Sequence, residues 1–93
     1  MTETTWEPHP VEHGPLDTAK AKMLPDSAFA FPRLRKEPMT DASHVRNAIA
    51  RFDQIKDVTD AERDLAFANI QKAANHFGVK MNETSWHQLG PQR

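Results

Sequence analysis

The chain predicts a mainly α fold built on one helical hairpin, and three observations carry that reading. Two stretches, about 41–55 and 60–77, repeat apolar residues at helical spacing behind a capping residue. Only about four residues, Lys56 to Thr59, join them, so the helices turn back on each other. Six of the seven prolines fall within the first 38 residues, which leaves the regular elements to the remainder. At 93 residues, with 38% hydrophobic and 27% charged, the chain holds one small domain at most.

Residues 1–17 carry Glu3, Glu7, Glu12 and Asp17, no lysine or arginine, and few large apolar groups. Such a stretch cannot bury enough surface to offset its backbone entropy, so it reads as a disordered, acidic, proline-rich tail that folding does not need. Trp6 stands out in it, either as a docking aromatic or as a solvent-exposed tail residue. The domain proper is expected over 18–90. Asp17 or Thr18 can cap a short helical turn through Ala19–Leu24, which Pro25 ends. Ala28-Phe29-Ala30-Phe31-Pro32 then reads as a brief extended piece. Its two phenylalanines share a side and lie on something apolar. Gly78–Met81 is the only partner strand the sequence offers, and an arm over 24–36 without a sheet is the expectation.

The first helix opens at Thr40 or Asp41, either of which can accept from free first-turn amides. Val45, Ala48, Ile49, Phe52 and Ile55 form its stripe. The second opens on a capping box, Thr59-Asp60-Ala61-Glu62. Its stripe is Ala66, Phe67, Ile70, Ala73, Ala74 and Phe77, and Gly78 supplies the left-handed residue that closes a helix. Trp86 and Leu89, three apart, suit one further helical turn before Gly90-Pro91. Two helices offer only two apolar faces. Phe29, Phe31 and Trp86 are therefore expected to cover them, with a monomer or a weak homodimer as the outcome.

The string LPDSAFAFPRLRKEPMTDASHVRNAIARFDQIKDVTDAERD, residues 24–64, resembles a family of small bacterial domains of unknown function. The family's members run from Leu-Pro-x-Ser-Ala-Phe-Ala through Arg-Lys-Glu-Pro to His-Val-Arg-Asn-Ala-Ile-Ala-Arg-Phe. The second helix, Phe77-Gly78-Val79 and the Trp86 region are also similar to the family's close. The His-Val-Arg-Asn-Ala string also resembles cassettes in phage-related proteins. The resemblance covers about 18–90 and implies a single module behind a variable front tail. It brings no activity, ligand or catalytic residue.

Composition excludes several classes. With no cysteine there are no disulfides, iron–sulfur ligation or cysteine zinc sites. A net charge of -1 gives no global field for nucleic acid or anionic lipid. The longest apolar run, Ala28–Phe31, is too short to span a bilayer. Acids and prolines stand where a secretion signal carries a basic start and an apolar stretch, so a bacterial-type cytoplasm and no membrane are expected. No phosphate loop, dinucleotide glycine pattern or paired acids are present, and neither catalysis nor a cofactor is expected. His9, Glu12 and His13 form a weak metal pattern broken by Pro10 and Gly14. His76 and His87 are another distant pair, and all four read as surface histidines.

Two surfaces remain as candidates. His44, Asn47 and Arg51 line one edge of the first helix. They either clamp the 24–36 arm, whose backbone needs partners, or form a recognition stripe. Asn47 is the best placed of the three for clamping. Arg33, Arg35 and Lys36 form a basic patch. Residues 33–51 are net +3 and residues 53–64 net -3. That split favours a small protein-interaction or accessory module with an unknown protein partner. The alternative is a nucleic-acid-associated protein that uses the basic 33–51 block, although the second helix would present an acidic start to phosphate.

Overall fold

The computed structural model describes residues 3–8 and 22–89. In chain order these form an N-terminal strap (3–8), a 3-10 turn at Asp26–Ala28, β1 (Phe29–Phe31), β2 (Lys36–Pro38), α1 (Ala42–Arg51), a 3-10 turn at Phe52–Gln54, α2 (Asp60–Phe77) and a last 3-10 turn at Trp86–Gln88. No described helix is long and apolar enough to cross a membrane. Lys22 and Met23 are helical and Leu24 is a bend, and residues 19–21 of the expected turn lie outside the described residues.

The hairpin stands where its caps put it. Asp41 accepts from the His44 amide at 2.8 Å and opens α1. Thr59 and Glu62 form the reciprocal capping box that opens α2. Gly78, at φ 72°, closes α2 in the left-handed region, and the Val79 amide reaches back to the Ala74 carbonyl. α1 is shorter than expected: after Arg51 the backbone tightens into the 3-10 turn, which carries Phe52 into the core. The Trp86 turn forms as expected, capped by Ser85.

The arm is a correction. It is a two-stranded antiparallel ribbon, with Phe29 opposite Pro38 and Phe31 opposite Lys36. Lys-Glu-Pro lacks the branched and aromatic residues that mark strands, so β2 gave no sequence signal. It forms because every residue of β1 is buried and its main chain must be paired. Pro38 costs the ladder little, since it ends the strand and the Met39 amide takes the Ala28 carbonyl instead. The link turns at Pro32–Arg35, where the Arg35 amide bonds the Pro32 carbonyl at 3.2 Å. β1 packs on α2 and β2 on α1, so the ribbon lies along the hairpin.

Phe31 enters the core with its ring 5.4 Å from that of Phe52, as the covering role requires. Phe29 is buried too, and the Arg35 guanidinium sits 4.6 Å above its ring. Val45, Ala48, Ala66, Phe67, Ile70, Ala73, Ala74 and Leu89 complete the centre as the stripes indicate. Met39, fully buried behind Pro38, was not among the expected core residues.

The larger correction concerns the front of the chain. Residues 3–8 are placed against the domain, and Trp6 is 1% exposed in the main core. One indole outweighs several charges when a matching slot exists. The charged neighbours Glu3 and Glu7 stay exposed on either side. Residues 9–17 of the expected tail lie outside the described residues.

Candidate functional site

The predicted α1 edge divides into three different environments. His44 turns back on its own helix start. Its Nδ1 lies 2.8 Å from the same Asp41 oxygen that accepts its amide. Burial pushes the Asp41 carboxyl up, but these bonds from His44 outweigh it and hold it below its usual range. Asn47 is exposed and reaches no main-chain group of the arm among the described residues. Arg51 is exposed at the helix end, where with Lys36 and His44 it surrounds Glu37. Burial raises the Glu37 carboxyl against the opposing pull of Arg51, Lys36 and His44. The edge therefore does not clamp the arm, because the main chain of β1 lies on α2 instead.

The clamp is Asn69, in the middle of α2 and fully buried. Its Oδ1 accepts from the Thr5 and Trp6 amides at 2.8 and 3.0 Å. Its Nδ2 donates to the Thr5 hydroxyl at 3.0 Å and to the Ala30 carbonyl at 3.1 Å. One side chain thus ties strap, ribbon and helix together. The signal was in the sequence: Asn69 falls on the apolar stripe, three residues after Ala66 and four before Ala73. A polar group on that face needs a buried partner. What could not be read was the partner, 64 positions away.

The predicted basic patch is spent largely within the fold. Arg33 grips both Glu62 oxygens, at 2.6 and 3.0 Å, and the Asp57 carbonyl at 2.6 Å. The basic and acidic blocks of the sequence therefore meet inside one molecule. With Arg33 and the Thr59 amide bonded to it, the Glu62 carboxyl falls to about 2. Arg35, at φ 53°, bonds Asp26 and the Leu24 carbonyl, both at 2.7 Å, while covering Phe29. Lys36 remains exposed on β2.

The described histidines lie apart from one another. His76 meets Trp6 edge-on, with centroids 5.7 Å apart, and His87 stacks on Trp86 at 3.8 Å. His9 and His13 lie outside the described residues. Among the described residues, no group of three metal-ligating side chains comes together.

An open concave surface runs along α2. A cleft of about 390 Å³ has Phe67, Ala68 and Trp86 at its apolar base. Asp64, Gln71, Thr84 and Ser85 supply polar rims, and Thr4 of the strap closes one side. The Asp64 carboxylate accepts from the Trp86 indole at 2.8 Å, which fixes the far wall. A second hollow of about 230 Å³ shares Gln71 and continues beside Ala74, Val79 and Met81. Sequence reasoning missed this cleft, since its walls come from three separate segments.

A helical hairpin faced by a short ribbon, with an open cleft of mixed lining, defines a small α+β module. Residues 15–84 match the model of the Family of unknown function (DUF6582), and the chain belongs to that family. The match begins after Trp6 and stops before Trp86, which the sequence resemblance had included. No curated protein and no solved structure matches the chain.

Proposed function

We propose that this chain is a small, non-catalytic protein-interaction module that works in the cytoplasm and engages its partner through the α2 cleft. The observation that carries the reading is the cleft itself. Its apolar base of Phe67, Ala68 and Trp86 sits between hydrogen-bonding rims, the make-up of a surface that receives a peptide segment. The internal use of Arg33 and Arg35 weighs against the nucleic-acid reading, which needs those guanidinium groups on phosphate.

The test is capture by the full chain from its native cell, beside an Ala68→Arg variant. Ala68 is half-buried at the cleft and outside the central core, so the variant is expected to keep its circular dichroism and melting midpoint. A protein retained by the parent and lost by the variant supports the reading. Equal retention by both places the interaction elsewhere. Retention of nucleic acid, weakening steeply as salt rises, would favour the alternative.

A further inference from the structure

The slot that holds Trp6 has the construction of a ligand site. Asn69 spends three of its four hydrogen bonds on the strap: two consecutive main-chain amides and one hydroxyl. The Met39 carbonyl takes the indole N–H at 3.1 Å, and the Ser27 carbonyl takes the Glu7 amide at 2.9 Å. His76 and Phe77 meet the indole edge-on, with centroids 5.7 and 5.8 Å away. Together these groups read a hydroxyl residue, then an aromatic with an N–H, on a chain whose successive amides are free to donate. An ordinary apolar contact would ask only for shape; this one asks for a sequence.

The division of the chain points the same way. Ser27, Ala30, Met39, Asn69, His76 and Phe77 all lie within the family match of 15–84, while Thr5 and Trp6 lie outside it. The receptor residues lie inside the family match and the occupant outside it. Without an occupant the Asn69 Oδ1 loses both of its main-chain donors, the Thr5 and Trp6 amides.

We propose that this slot is a peptide-recognition site for a segment in which a hydroxyl residue precedes tryptophan, and that Thr5 and Trp6 fill it in cis. A segment of the same chemistry from another protein is its ligand in trans. It must displace a tethered competitor whose effective concentration is of order millimolar. The strap that fills this site also lines the α2 cleft through Thr4, and the two readings are tested by different variants.

The experiment uses the full chain carrying Trp6→Ala, which removes the indole from the slot, and the synthetic peptide Thr-Glu-Thr-Thr-Trp-Glu-Pro-His-Pro. The variant should melt well below the parent. The peptide, at about a hundred times its dissociation constant, should raise the midpoint by about 10 °C or more. If the variant is unfolded at 25 °C, the same peptide should restore its helical circular dichroism in a saturable way. The peptide with alanine for tryptophan should do neither, and a Trp6→Ala, Asn69→Leu double variant should not respond. The parent, already filled, should shift little. No response at about 1 mM peptide, well within the reach of a tethered ligand, would overturn the proposal. So would an equal response to the alanine peptide, an equal response of the parent, or a Trp6→Ala variant that melts with the parent.

Discussion

The two tryptophans pin opposite ends of the chain to the hairpin in different ways. Trp6 is 1% exposed, gives its N–H to a main-chain carbonyl, and is flanked by amides that Asn69 holds. Trp86 is half-buried, gives its N–H to the Asp64 carboxylate, and stands between the rings of Phe52 and His87 with Arg63 nearby. The first anchor is a core residue reached from far away in sequence. The second is a surface residue held by charged and aromatic neighbours. A tryptophan's place in the chain thus says little about its energetic weight. What decides it is whether buried polar groups depend on its segment.

The comparison breaks most readily at the anchors themselves. Trp6→Ala should cost about 3–5 kcal/mol in chemical denaturation, the usual loss for a fully buried large aromatic. Trp86→Ala should cost about 1–2 kcal/mol, because part of its surface is already wet. Equal losses would put both anchors in one class. The Asn69→Ala variant comes next, at about 1–3 kcal/mol, since it strands two strap amides and the Ala30 carbonyl. The matching change at the other anchor, Asp64→Asn, should cost under about 0.5 kcal/mol because the pair is exposed.

A smaller effect sharpens the role of charge. Glu62 has its carboxyl held at about 2 in the fold, against an ordinary 4.5. The ionised form is favoured in the folded state, so the contribution is present above pH 4.5 and is lost as pH falls towards 2. Over that window the parent should lose stability relative to Glu62→Gln in acid titration, and added salt should shrink the difference. Glu37 works with the opposite sign. Burial raises its carboxyl, so its contribution is present at low pH and fades as pH rises through the raised value. The smallest effect belongs to Asn47→Ala, which should leave the denaturation midpoint unchanged because that side chain faces solvent.

The same contrast explains what could be read in advance. Both helices were legible because caps are local: Asp41, the Thr59–Glu62 box and Gly78 act within a few residues of the ends they set. The Trp86 turn was legible for the same reason. Phe31 could be placed against the helix stripes because an apolar contact needs only proximity, and Phe52 is the ring it meets. β2 could not be read, because Lys36, Glu37 and Pro38 are strand only by virtue of β1 beside them. Neither could the clamp. His44, Asn47 and Arg51 had suitable groups on a suitable helix edge, but the ribbon put its buried strand on the other helix. Asn69 and Trp6 each looked out of place in isolation, a polar residue on an apolar stripe and an indole in an acidic segment. Their misfit was the signal, and only the fold brings them together.

The central claim is that the front of the chain is part of the core. Replacing Trp86 with phenylalanine leaves Trp6 as the sole indole, since the sequence holds two tryptophans. The fluorescence of that Trp86→Phe chain should then be blue-shifted and shielded from acrylamide, and should turn water-like in a single transition with the loss of helical circular dichroism. Water-like emission and free quenching in the folded state would contradict the account.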